Sequence, residues 1–213
     1  MVRSVALSRF LPGAFAVAAL AAPAAHAAPA QSIAGEYVEL QAGWDHVAIP
    51  GTAGTAATSP VVNTGSSRPI FGFGAGYDLN VLGEGNPLIA GLGANMNFAR
   101  KTACKAGAGV AGDSLCGKFK YDLDIGARIG YQLGDTVVYG RVAYDITRVR
   151  TDYLKTATST VVTKSTTAQG VRLAAGLEQR VFGKVYVKGE YRFTPKQDLA
   201  SHQQVVGSVG LRF

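Results

Sequence analysis

The chain has 213 residues, 47% of them hydrophobic and 16% charged, with 27 glycines and a formal net charge of +7. That length is one domain, and past the first 30 residues no segment approaches the roughly 20 continuous apolar residues of a membrane-spanning helix. Beyond that point a membrane-spanning helix is excluded, and a chain this apolar without apolar runs must carry its hydrophobic residues at alternate positions, as barrel strands do.

The N-terminus reads as a secretory signal: Arg3 and Arg9 make a basic start, residues 10–20 an apolar core, and Ala25, His26 and Ala27 a small-residue cleavage site. Cleavage after Ala27 divides the chain into a signal peptide, 1–27, and one barrel domain, 28–213. A membrane anchor is the competing reading, but Pro12, Gly13 and Pro23 interrupt the stretch. No early cysteine is present to carry a lipid.

From Glu36 the first strand sets Val38, Leu40, Ala42 and Trp44 against Tyr37, Glu39, Gln41 and Asp45. A Gly-, Ala-, Thr-, Ser- and Pro-rich stretch, 49–67, reads as a long loop. The second strand alternates Phe71, Phe73, Ala75, Tyr77 and Leu79 with Gly72, Gly74, Gly76 and Asp78, and the glycines of 80–86 turn it into a third that carries Leu88, Ala90, Leu92, Ala94, Met96 and Phe98 on one face. A segment with Cys104 and Cys116 follows, and in an exported chain two cysteines twelve apart predict a disulfide that staples one loop; a metal pair is the alternative.

The fourth strand alternates from Phe119 to Leu133 without a break, with Asp122, Asp124 and Arg128 on the polar face. Gly134 and Asp135 make a tight turn into the fifth, which sets Val138, Val142, Tyr144 and Ile146 against Arg141 and Asp145. A Thr-, Ser- and Lys-rich loop is expected over 150–168. The sixth strand holds Val171, Leu173, Ala175 and Leu177 against Arg172 and Glu178, and the seventh Val185, Val187, Tyr191 and Phe193 against Lys188, Glu190 and Arg192. The eighth places Val205, Gly207, Val209, Leu211 and Phe213 opposite Val206, Ser208, Gly210 and Arg212, flush with the last residue.

Eight antiparallel strands with alternating long and short connections predict an all-β, up-and-down transmembrane β-barrel of the outer-membrane type. The alternative is a soluble lipocalin-type barrel, which would turn the apolar face inward and the charges out. Three features favour the membrane. The polar faces carry Glu39, Asp122, Asp124, Asp145, Glu178 and Glu190 against Arg128, Arg141, Arg172, Lys188, Arg192 and Arg212, six of each sign, as an enclosed and mutually paired set must. With the N-terminus starting in the periplasm, the aromatics fall into two girdles, Trp44, Phe71, Phe73, Phe98, Phe119, Tyr121, Tyr191 and Phe193 at the outer ends and Tyr77, Tyr131 and Phe213 at the inner. The terminal strand, with Val209, Leu211 and Phe213 on its apolar face, is the third.

An eight-stranded barrel is just wide enough for side chains to fill, so the charged set reads as a polar core; a narrow ion path is the rival. Catalysis would need a histidine with a serine and an acid at the outer rim, and His46 and His202 read as loop residues. The glycines of 72–76 lack the lysine and helix of a phosphate loop, so no cofactor is implied. Removing Arg3 and Arg9 lowers the charge from +7 to +5. The excess is local: Arg100, Lys101, Lys105, Lys118 and Lys120 against Asp113 make +4, and Arg148, Arg150, Lys155 and Lys164 against Asp152 make +3. Such loops suit the anionic layer of outer-membrane lipid and lipopolysaccharide, and without an aromatic basic groove nucleic acid is not a partner.

The segments Ala175-Gly176-Leu177-Glu178-Gln179-Arg180, Lys188-Gly189-Glu190-Tyr191-Arg192-Phe193 and Val209-Gly210-Leu211-Arg212-Phe213 resemble the closing part of the opacity-type, OmpA-like small outer-membrane barrels of Gram-negative bacteria. Gly74-Ala75-Gly76-Tyr77-Asp78 is similar to their second strand. The cysteine loop and Gln179, where an aromatic is commoner, depart from them. The resemblance implies insertion by the barrel-assembly machinery reading the terminal strand, with roles in envelope integrity or in contact with a host or neighbouring-cell surface. The reading is therefore a non-enzymatic outer-membrane scaffold or surface adhesin, with a small channel second and a lipid-modifying enzyme third.

Overall fold

The computed structural model describes residues 33–49, 64–83, 85–99, 102–106, 114–155, 160–195 and 202–213. Among the described residues there are nine strands: β1 (Gly35–Ile49), β2 (Thr64–Asn80), β3 (Leu88–Ala99), β4 (Thr102–Ala106), β5 (Ser114–Leu133), β6 (Thr136–Lys155), β7 (Thr160–Phe182), β8 (Val185–Thr194) and β9 (His202–Arg212). Every pairing is antiparallel, in the order β3-β2-β1-β9-β8-β7-β6-β5-β4, and β3 also pairs with β5, which closes the sheet. Because β3 and β4 lie end to end along β5, eight staves make the barrel. The expected signal peptide lies outside the described residues.

The closing seam joins β1 to β9, from Tyr37 opposite Arg212 to Val47 opposite His202. The last residue is tied in as well, since the Phe213 amide donates to the Glu36 carbonyl at 3.0 Å. Tight turns close the inner end. Gly134 and Gly183 occupy them with φ of 64° and 52°, a left-handed conformation that favours glycine.

The barrel is inverted relative to a soluble one. Leu40, Leu92 and Ile125 are 74%, 68% and 64% exposed, whereas Asp124, Asp145, Arg172 and Arg192 are fully buried. A lipocalin-type arrangement is thereby excluded, and the continuous apolar exterior far exceeds the patches a monomeric soluble protein leaves bare. Trp44, Phe71, Phe73, Phe98 and Tyr191 are exposed toward one end, and Tyr77, Tyr131 and Phe213 toward the other.

The strands outrun the sequence-based expectation at the outer end. β1 and β2 pair out to Ile49 opposite Thr64, taking in the two ends of the expected loop 49–67, of which 50–63 lie outside the described residues. β6 and β7 pair out to Lys155 opposite Thr160, so the expected loop 150–168 is a long hairpin. The physical reason is common to both. Beyond the apolar band neither face needs to be hydrophobic, so the two-residue alternation fades, while β-branched residues such as Val161, Val162 and Thr163 still favour extended backbone. The unbroken alternation expected for the fourth strand also fails at one place: the β5–β6 register shifts between Phe119 and Tyr121, leaving Lys120 as the extra residue of a β-bulge.

Candidate functional site

Inward-facing side chains fill the barrel in three layers. At the inner end, Arg128 of β5 donates from Nε to Asp78 at 2.7 Å and from Nη1 to Glu178 at 3.0 Å. Arg212 of β9 donates to the same two carboxylates, Asp78 and Glu178, at 2.7 Å each. Two arginines and two acids from β2, β5, β7 and β9 thus form a closed ring across the lumen. Aromatic rings brace it. The Arg128 guanidinium lies 5.0 Å from the ring centres of Tyr37 and of Tyr139, and that of Arg212 lies 5.2 Å from those of Tyr37 and Tyr186, within cation–π range. Arg212 also donates to the Ile33 carbonyl at 2.5 Å, which draws the segment before β1 under the ring.

Glycine makes room for these tyrosines. A Cβ at Gly76 or Gly93 would collide with the Tyr37 hydroxyl, one at Gly176 with Tyr139, and one at Gly210 with the Tyr186 ring. Tyrosines thus occupy the space at Gly76, Gly93, Gly176 and Gly210, while at Gly74 a Cβ would meet Asn95, Gln41 and Glu39 and at Gly91 it would meet Asp78.

In the middle layer Lys188 pairs with Glu39, which also accepts from Tyr186 at 2.9 Å and Gln41 at 2.6 Å. Arg192 pairs with Glu190, whose other oxygen accepts from the Tyr139 hydroxyl at 2.7 Å. Gln41 donates to Asn95 at 2.8 Å, and Asn95 to Asp124 at 3.0 Å, linking this layer to the next.

The outer layer centres on Arg172, which lies 2.8 Å from Asp122, 2.7 Å from Asp124 and 2.8 Å from Asp145. Arg141 pairs with Asp124. At the closing seam His202 of β9 contacts Asp45 of β1, and Asp45 accepts from Arg68 of β2 at 2.7 Å. A cavity of about 170 Å³ opens at the inner mouth beside Ile33, Lys184 and Phe213, and a smaller one of about 10 Å³ lies in the outer layer beside Asp45 and Asp122.

All twelve charged residues read from the sequence as lumen-facing, namely Glu39, Asp122, Asp124, Arg128, Arg141, Asp145, Arg172, Glu178, Lys188, Glu190, Arg192 and Arg212, are buried in these layers. The set is larger than six of each sign. Among the described residues, adding Asp45 and Asp78 gives eight buried carboxylates, and adding Arg68 gives seven buried Lys and Arg, with His202 an eighth basic group. Asp78 already stood on a polar face in the sequence, whereas Arg68 lay between the expected loop 49–67 and the alternation that starts at Phe71.

His46 and His202 both belong to strands, not loops. His202 begins β9 and is 2% exposed. His46 is on the outward face of β1, where its Nδ1 lies 2.9 Å from Ser67 Oγ. Among the described residues no carboxylate joins that pair. The register sets Cys104 opposite Cys116 across the β4–β5 hairpin. Of the basic residues, Lys105 is in β4, Lys118 in β5, Arg150 and Lys155 in β6 and Lys164 in β7, while Arg100 and Lys101 lie outside the described residues. Arg150 donates to Asp152 at 3.0 Å and to Thr163 at 3.3 Å. Val209, Leu211 and Phe213 line the outer surface of β9 and the terminus, all exposed.

A family match and the likeness to Ail support the architecture. The profile of the outer membrane protein beta-barrel domain matches residues 14–213. Among solved structures, Ail, the attachment invasion locus protein of Yersinia pestis, in complex with the heparin analogue sucrose octasulfate, aligns with a TM-score of 0.50 at 9% identity, covering 84% of this chain and 99% of that one. Neisserial surface protein A aligns with a TM-score of 0.48 at 14% identity, covering 84% and 97%. No curated protein matches the sequence.

Proposed function

The chain belongs to the outer membrane protein beta-barrel family, and on that premise we propose that it is an integral outer-membrane protein whose filled barrel is a scaffold and whose outer strands and loops make surface contacts as an adhesin or antigen. The observation that carries this reading is the ring of Arg128, Asp78, Arg212 and Glu178, which ties four strands together across the lumen where a pore would have to run. A barrel closed in this way has its working surface at its ends.

The exposed apolar exterior and its flanking aromatic rows fit a bilayer, with export by the signal over 1–27 and insertion by the barrel-assembly machinery reading Val209, Leu211 and Phe213. The outer end carries the chain's basic excess, including Lys105, Lys118, Arg150, Lys155 and Lys164, which suits lipopolysaccharide and polyanionic surface ligands. The structurally similar Ail was solved with such a polyanion. Cys104 and Cys116, opposite in register, are proposed as a disulfide in the oxidising periplasm and cell surface.

Surface labelling of intact Gram-negative cells tests the reading. An epitope inserted over 156–159, between β6 and β7, is expected to be reached by antibody from outside, and one at Gly134-Asp135 to be reached after permeabilisation. Both sites silent on intact cells, or the chain recovered in the soluble fraction, would contradict it.

A further inference from the structure

One pair of cations takes no part in the interior network. We propose that Lys120 and Arg148 form a docking site for the phosphate of a membrane lipid surrounding the outer end of the barrel. The proposal rests on the outer-membrane reading above and specifies which residues meet the lipid and through what chemistry.

The β-bulge is the first support. In regular alternation Lys120 would fall in step with Asp122 and Asp124 and face the interior. The register instead runs from Phe119 opposite Val149 to Tyr121 opposite Arg148, with Lys120 unpaired between them. Lys120 is exposed, and so is Arg148. Bulges re-aim side chains in this way, and here the result is two cations at neighbouring cross-strand positions.

Charge is the second. Like charges side by side across a sheet repel. One step further out, Arg150 has Asp152 and Thr163 as partners. Among the described residues no carboxylate pairs with Lys120 or Arg148. An exposed cation pair without a counter-ion among the described residues is complementary to a phosphate, which accepts both an arginine fork and a lysine point charge.

Height along the barrel selects a lipid over a free anion. Asn97 lies opposite Asp122, so the next residue, exposed Phe98, stands level with Tyr121. Below Arg148 on the same face of β6 come Tyr144 and Val142, 46% and 55% exposed. The cations therefore sit one step beyond an aromatic and aliphatic surface, at the level where hydrocarbon gives way to headgroups.

The test uses the full barrel refolded in neutral detergent micelles, with lipid A carrying both phosphates as the probe and native mass spectrometry reading the lipid-bound fraction. K120Q and R148Q should each weaken binding about tenfold, the scale of one hydrogen bond to a charged group, the double variant should bind no better than dephosphorylated lipid A does to the parent, and K120R should retain binding. K184Q, at the opposite mouth, should bind as the parent. Equal binding by the double variant, equal binding of dephosphorylated lipid, or full competition by millimolar inorganic phosphate would each overturn the proposal. Failure of the folded parent to insert into lipid vesicles would instead overturn the membrane reading beneath it.

Discussion

Arg128 reaches Asp78 on β2 and Glu178 on β7 at once, at 2.7 Å and 3.0 Å, so one guanidinium joins strands that are separated by β3 on one side and β6 on the other. Arg212 closes the same two acids from the opposite seam. The barrel is therefore braced through its interior as well as around its wall. In a fold whose apolar residues face outward, the buried polar ring takes the place of a hydrophobic core, and among the described residues the buried apolar cluster is small: Ile33, Ile89, Val137 and Tyr139.

Breaking that ring should be costly because it strands a buried charge. Arg128→Met leaves Asp78 and Glu178 with half their cationic partners, and unfolding of the folded barrel in urea should show a loss of about 3–5 kcal/mol. Arg128→Met combined with Asp78→Asn should recover part of it. A single variant as stable as the parent would show that the ring contributes nothing.

Glycines facing in and out should respond oppositely to alanine. Gly210→Ala drives a Cβ into the Tyr186 ring, and overpacking of this kind costs about 1–3 kcal/mol. Gly189 and Gly140 have open space where a Cβ would go, so Gly189→Ala should be neutral or stabilising by up to roughly 1 kcal/mol. Thermal or urea unfolding of the two variants side by side checks the contrast.

The His202–Asp45–Arg68 chain fastens the outer end of the closing seam, from β9 through β1 to β2. His202→Ala removes one buried partner of Asp45, a loss of about 1–3 kcal/mol. Hydrogen exchange should speed up at the outer ends of β1 and β9 and stay unchanged near Arg212. Uniform acceleration along the seam would show that the histidine holds more than its own end.

If Cys104 and Cys116 are bonded, thiol titration of the unfolded, unreduced protein should find no free thiol. Reduction should loosen the β4–β5 hairpin while the barrel's melting temperature holds, since β4 pairs with β5 alone. Two titratable thiols would remove the disulfide.

The wall of the barrel was legible because lipid-facing and lumen-facing positions alternate strictly, and Asp122, Asp124 and Arg128 on β5 or Lys188, Glu190 and Arg192 on β8 show that period directly. Arg68 was not legible. It follows two serines and precedes a proline, and its meaning comes from a register that sets it opposite Asp45, 23 residues away. His202 was hidden likewise, because its partner Asp45 is 157 residues distant. Lys120 failed for a different reason: the alternation reads straight through it, and a one-residue bulge leaves no mark in a pattern of apolar and polar residues. Beyond the apolar band the pattern itself disappears, which is why the β6–β7 hairpin read as loop.

The most direct test of the account is single-channel conductance of the refolded protein in a planar bilayer, after its unheated form has been shown to migrate as a folded barrel. Braced by the Arg128–Asp78–Arg212–Glu178 ring, the folded barrel should insert and stay silent, with Arg128→Met and Arg212→Met together admitting current where the parent does not. Steady discrete openings from the parent barrel would contradict the closed-scaffold account and make the buried charges the lining of a pore.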